Sequence, residues 1–392
     1  MDTSPFQTRV LKTVPELERI QSFWNSCPGN RDSEFESYLT FLRTNTTTVR
    51  PHVILVEREG RPEAILTGRI DRGHVDCRLG YWKVKIPSTL LVFVYGAFRG
   101  HESPEVCELM VTSVLESLSR NEAGVAYMNF LRDDSHLSRL CRILPGSLCR
   151  DYLRLTQQHY AAVLPFRAED FHKNLSSKVR KNLKWQAKKL DEHYSGDVTI
   201  RCFREEVNID ELAVEAERIS SKSYQRGLGV GFRDTPIVRE QMRLKAQRGW
   251  LRGYVLYLGG VPAAFWMGDV NSGTFGSDYL AFDPAFSRHS PGMYLIMRVM
   301  ETFCEDRREG VQAIDFGPGH AQYKETLSTH GWRETAVYLF APTLKGVGIN
   351  ALRTCSGGVD RIVKDALART GLLQKIKKAW RTRVTPQTVP HA

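Results

Sequence analysis

The sequence predicts an α/β fold of two tandem units, each a mixed central sheet flanked by helices. Three observations carry that reading. One order of signals (hairpin, strand, helix opened by Ser-Pro, strand, short helix) occurs twice along the 392 residues. Hydrophobic residues make up 42% and charged residues 25%, the balance of a globular protein with a sizeable core. No apolar run approaches the ~18–20 residues that a membrane-spanning helix needs.

The first unit, expected over residues 1–155, begins its helical signal at Ser33–Leu42. Two strands, His52–Val56 and Ala64–Ile70, are joined by the turn-forming Glu59-Gly60-Arg61-Pro62. Leu90–Val94 is a short apolar strand. Ser103-Pro104-Glu105 then opens a helix reaching about Arg120, with serine at the cap and proline in the first turn. Gly124–Phe130 reads as a strand and Ser135–Leu144 as a short helix.

The second unit, expected over residues 160–342, repeats the order. Ser177–His193 and Asp210–Gln225 read as helices, the first strongly basic. Gly253–Leu258 and Ala263–Asp269 form a hairpin through Gly259-Gly260-Val261-Pro262, and Thr274–Phe282 is a strand. Ser290-Pro291-Gly292 opens a helix to about Arg308. Val311–Phe316 is a strand, Tyr323–Ser328 a helix and Thr335–Phe340 a final strand. Residues 345–392 form a basic tail. Its Lys345–Gly358 part is glycine-rich and loop-like, and Val359–Arg383 is an amphipathic helix with Ile362, Ala366, Leu373, Ile376 and Trp380 on one face.

The net charge of +11 is local: Phe171–Leu190 carries +7 and Lys345–Ala392 carries +8, leaving −4 for the rest. Such segments attract anionic partners, whether a phosphorylated cofactor, a nucleic acid or a lipid surface. The apolar face around Trp380 suits either packing onto the protein or peripheral contact with an anionic membrane through 359–383. Eight cysteines without a C-x-x-C pair argue against a zinc site or a disulfide framework. With no basic-then-apolar start of a signal peptide, the expectation is a cytoplasmic protein, with the tail able to hold it at the inner membrane face.

Two stretches carry the chemistry. In Tyr279–Leu295 a strand ends at Asp283-Pro284, and a loop leads into the helix start at Ser290. Free amides there can seat a phosphate, Gly292 lets a ligand approach the backbone, and Arg288 and His289 add charge beside it. The same residues also serve as an ordinary capped helix start. In Ile314–Lys324 a strand delivers Asp315 to its end, glycines turn the chain, and Tyr323-Lys324 begin the next helix. Ligands in parallel α/β sheets bind beyond such strand ends. Asp315-Phe316-Gly317 is not a kinase metal motif, since no His-Arg-Asp loop precedes it, and Gly227–Gly231 does not follow a strand as a dinucleotide loop would.

As an ordered set, Asp283-Pro284-x-Phe286, Ser290-Pro291-Gly292-x-x-Leu295 and Asp315-Phe316-Gly317-x-Gly319 with Tyr323-Lys324 resemble the acyltransferase domain of the CelD-like branch of the GNAT superfamily. That branch is related to the Fem-type aminoacyl transferases. The basic helix Ser177–Lys189 resembles the start of that domain. The resemblance implies acyl-CoA, usually acetyl-CoA, as cosubstrate, lying where the strands Thr274–Phe282 and Val311–Phe316 splay, and no metal. Its pyrophosphate would meet Arg288, His289, Ser290, Gly292 and Met293. The usual glycine-rich loop appears here only as Arg288-His289-Ser290-Pro291-Gly292. Transfer to an amine needs a base, for which Asp315 or Asp278 stands by position, and an acid, for which Tyr323 does. Lys324, Arg180 and Lys184 are expected to bind phosphate or an anionic acceptor. The implied acceptor is a small molecule or glycan precursor. The first unit is expected to be a degenerate copy of the same GNAT-like fold. Two alternatives stay open: aminoacyl transfer from tRNA, and a non-catalytic binding module.

Overall fold

The computed structural model describes residues 5–369 apart from Gly80, Tyr81, Arg154, Leu228 and Gly229. Contacts divide them into two units, 5–157 with 332–369, and 158–331.

In the first unit the strands lie in the spatial order Phe6–Leu11, Thr48–Arg58, Arg61–Leu79, Trp82–Gly100, Val125–Arg132 and His330–Phe340. The only parallel pair described here is Trp82–Gly100 with Val125–Arg132, linked through the helix Pro104–Ser119. That helix starts where the Ser-Pro signal placed it: Ser103 accepts the Val106 N–H and Pro104 opens the first turn. Its Val106, Met110, Val111, Val114 and Leu118 pack on Ile54, Leu66 and Phe93. Alternate residues of the same strands, Val53, Leu55 and Ile65, point to the other face and bury Trp24, Phe35 and Tyr38.

Two expectations for the C-terminal region are corrected. The strand expected at Thr335–Phe340, assigned to residues 160–342, completes the first unit's sheet, because Glu334–Phe340 pairs antiparallel with Val125–Arg132. The expected loop Lys345–Gly358 is helix: Leu344–Arg369 runs unbroken and packs on the strand Arg61–Leu79. Its buried face is largely polar, made of Ile349, Asn350, Arg353 and Ser356, so hydrophobic periodicity leaves no mark. Asn350 donates to the carbonyls of Leu148 and Arg150, and Arg353 pairs with Asp151 at 2.5 Å. Of the amphipathic segment 359–383 proposed for membrane contact, residues 370–383 lie outside the described residues.

In the second unit the spatial order is Leu155–Val163, Ala313–Pro318, Thr274–Phe282, Val261–Asn271, Leu251–Leu258 and Val198–Phe203. One face carries the helix Pro291–Glu305, whose Leu295, Ile296, Val299, Met300 and Phe303 bury against Trp266, Phe275, Ile314 and Phe316. The helix Ser177–His193 joins that face through Leu183 and Leu190. The other face is covered by Ile209–Ser220, which buries Ile209, Leu212, Ala213, Ala216 and Ile219 at helical spacing, and by Pro236–Gln247. The helix expected at Asp210–Gln225 therefore ends at Ser220, and a turn leads to the short Tyr224–Gly227 helix.

Gly268 fixes how closely two of these strands approach. A Cβ there would lie 1.9 Å from the Gly276 carbonyl oxygen, a backbone atom with nowhere to move. Gly268→Ala is expected to cost about 1–3 kcal/mol through overpacking. A urea midpoint equal to that of the wild type would refute this.

Candidate active site

Thr274–Phe282 and Ala313–Pro318 run parallel, yet they pair over three positions only: Thr274 with Ala313, Phe275 with Ile314, and Gly276 with Asp315. Beyond Gly276 the strands part. A bulge at Asp278, between Ser277 and Tyr279, bends the first strand, and another between Asp315 and Gly317 bends the second. The open edge gives backbone groups of Leu280–Phe282 no strand partner on that side. Gln225 reaches in and donates to the Leu280 carbonyl at 2.9 Å.

On the Leu280–Phe282 side of the parting lies a cavity of about 130 Å³ lined by Ser223, Tyr224, Leu280–Phe282, Gly292, Met293, Ile296 and Tyr323. Tyr323 stands against Phe316, ring centroids 6.0 Å apart and nearly perpendicular. Burial pushes its phenol well above the usual tyrosine range, with Tyr224 adding to the effect, so it stays protonated at neutral pH. Gly292 faces Phe282 across the gap.

A second, larger cavity of about 780 Å³ lies between the helices Ser177–His193 and Pro291–Glu305 and shares Met293 with the first. Arg180, Lys184, Lys188, His289 and Ser290 line it. Ser290 takes a left-handed backbone, φ 49°, and its side chain does not cap the helix. Ser103, which opens the corresponding helix of the first unit, does cap. The first-turn amides of Pro291–Glu305 are thus not taken up by a side-chain cap, and the helix dipole adds partial positive charge there. In the first unit Glu105, a fixed acid, stands where Gly292 stands here.

The expected residues fall into separate groups. Arg180, Lys184, Arg288, His289, Ser290, Gly292 and Met293 gather around the two cavities, and Tyr323 meets Gly292 and Met293 at their junction. Asp315 lies on the opposite strand edge. One of its oxygens accepts from His159 Nε2 at 2.6 Å and from the Gly317 amide at 2.7 Å. His159, fully buried on Leu155–Val163, was missed from the sequence, as were Tyr224, Gln225 and His193. Lys324 turns away from both cavities and donates to the carbonyls of Gly317 and Pro318 at 3.2 and 2.9 Å. Burial pulls its ammonium down to about 8, against the pull of Asp315. The Asp278 carboxylate is held at 2.6 Å by Lys245 of the helix Pro236–Gln247, a cation it shares with Asp269, and like Asp315 it does not line the cavity. Among the described residues no group of three or more His, Cys, Asp or Glu is placed to hold a metal ion, and no helix is long and apolar enough to cross a membrane.

Comparison with known proteins bears on this arrangement. A family model described as an acetyltransferase (GNAT) domain matches residues 177–325. No curated protein matches by sequence. Among solved structures, FemX is similar with a TM-score of 0.52 and 12% identity, over 84% of this chain and 96% of that one. A tandem GNAT protein from the clavulanic acid biosynthesis pathway is similar with a TM-score of 0.50 and 11% identity, over 86% of this chain and 99% of that one. At such identities the likeness is one of fold.

Proposed function

We propose, from the match of residues 177–325 to a GNAT acetyltransferase domain and from the likeness in fold to a tandem GNAT protein, that the second unit transfers an acyl group from acyl-CoA to an amine. One observation carries the proposal: the two parallel strands part after Gly276 and Asp315, and the gap holds a buried phenol opposite a glycine at a helix start. An extended thioester arm suits such a gap, its amides meeting the open edge beyond the Leu280 carbonyl that Gln225 holds. Gly292 supplies the clearance, and the amides after Ser290, with Arg180, Lys184 and Arg288, supply the charge that phosphates require.

The reaction forms a C–N bond at the acyl carbon and breaks its C–S bond. Tyr323, kept protonated by burial, donates a proton to the departing sulfur. Asp315, oriented by His159 and the Gly317 amide, takes the proton lost by the attacking amine, directly or through water.

A second reading, aminoacyl transfer from tRNA, is favoured by one feature. The helix Ser177–His193 exposes Lys178, Lys181, Lys184, Lys188 and Lys189, charge enough to attract an RNA backbone. Titration calorimetry with acetyl-CoA and with aminoacyl-tRNA separates the readings. Heat with acetyl-CoA, together with thiol release on adding an amine, supports the first. Binding of tRNA alone replaces it with the second, and binding of neither removes both.

A further inference from the structure

The helix Leu344–Arg369 is built inside out. The face it lays on the first unit's sheet is mostly polar, with Asn350, Arg353 and Ser356 beside Ile349. Over Leu344–Cys355 its outward face consists of Leu344, Gly348, Ala351, Leu352 and Cys355, spaced at i, i+4, i+7, i+8 and i+11. An ordinary surface helix has the reverse arrangement. Leu344 is 97% exposed and Leu352 38%. The loop that this helix grips extends the surface. Asn350 holds the carbonyls of Leu148 and Arg150, so Ile143–Tyr152 lies beside the helix. There Ile143, Leu148 and Tyr152 are all more than half exposed. A lone exposed leucine needs no explanation, but five large apolar side chains on one helix face and the loop beside it mark an interaction surface.

The charge of this surface is one-sided. Leu344–Cys355 contains Lys345 and Arg353 and no acid, and the chain from Lys345 to Ala392 carries +8. The acid of the adjoining loop, Asp151, is buried in its pair with Arg353. Arg150 of the same loop donates to the carbonyls of Ile143 and Pro145 and keeps its charge. We propose that this face, together with the basic segment that follows it, seats the protein on an anionic lipid surface, with Leu344, Leu352, Leu148, Ile143 and Tyr152 entering the headgroup layer. Stable attachment to a bilayer surface needs an apolar and an electrostatic attraction, and both belong here to one stretch of chain. Other occupants match only half of the surface. A second copy docked about a two-fold axis would bring two +8 segments together. A nucleic acid would satisfy the charge and leave the aliphatic side chains in water. None of these residues lines either cavity of the second unit, so the attachment is independent of which acyl donor the enzyme uses.

The test is flotation of the full chain with vesicles of phosphatidylcholine alone and of equal parts phosphatidylcholine and phosphatidylglycerol. The wild type is expected to float with the anionic vesicles and not with the neutral ones, and to be released as salt rises from about 0.1 M to 1 M. Leu148→Gln combined with Leu344→Gln removes two exposed apolar side chains and leaves every charge in place. That variant is expected to bind the anionic vesicles more weakly by roughly tenfold for each leucine. Its thermal midpoint should match the wild type, since neither leucine is buried. Leu344→Gln alone, at the most exposed position, keeps the test open should the double variant prove less stable. Binding by the variants as tight as that of the wild type would overturn the proposal, because charge alone would then suffice. Failure of the wild type to float with anionic vesicles would overturn it too. Sedimentation velocity supplies the last arm: a wild-type dimer that the double substitution converts to monomer assigns the face to a second copy and not to lipid.

Discussion

Tyr323→Phe is expected to lower kcat by roughly 10²–10⁴-fold, the usual contribution of a positioned proton donor. The substitution removes one hydroxyl and keeps the ring that stands on Phe316, so packing and thermal stability should hold. KM for the acyl donor should change little, because the hydroxyl is assigned to the departing sulfur and not to the phosphates. Since burial raises the phenol above its ordinary range, wild-type activity should show no loss from Tyr323 ionisation at pH 8–9. Steady-state kinetics with a thiol-detecting readout decide the matter. A variant that retains more than about a tenth of wild-type kcat removes Tyr323 from the mechanism.

Asp151→Ala is expected to destabilise the first unit by about 3–5 kcal/mol, the cost of leaving one member of a buried ion pair uncompensated. Both side chains of the Asp151–Arg353 pair are only 5% exposed. The carboxylate also accepts from the amides of Leu153 and Tyr338, so it ties the loop before the second unit, the last strand and the C-terminal helix together. Arg353 would be left over the Tyr338 ring, its centroid 4.1 Å away, without a counter-charge. Asp151→Asn keeps an acceptor for only one of those two amides and removes the charge, so it should still lose most of that stability. Chemical denaturation of both variants checks this, and a loss below about 1 kcal/mol would show that the pair is dispensable.

What the sequence disclosed follows from the range of the interactions involved. The two Ser-Pro helix starts were legible because proline and serine act within one turn. The splayed strands were legible because each is a local apolar run bounded by turn residues. His159 was not. Its strand, Leu155–Val163, carries polar residues at positions 156–159, and the histidine is buried because of a carboxylate 156 residues away. The pairing of Asp278 was hidden for the same reason, since its partner Lys245 sits on Pro236–Gln247, a helix the sequence reading did not identify. The C-terminal helix escaped because it docks through Asn350, Arg353 and Ser356, and apolar periodicity is blind to a polar interface. The Ser290 and Ser103 helices look alike in sequence, and only backbone geometry separates the one that caps itself from the one that does not.

The strand that closes the first unit's sheet is made long after the strand it pairs with. During synthesis Val125–Arg132 emerges early, but its partner Glu334–Phe340 follows only after the whole of 158–331. At ~5–20 residues per second that interval is on the order of ten seconds or more, during which one sheet edge stays unpaired. An open edge is a template for pairing with other chains. The N-terminal unit therefore cannot reach its final form ahead of the domain that follows it. Chains truncated before Trp332 should aggregate through an edge that the intact protein covers, and a ribosome stall in the second unit would strand the first half-built.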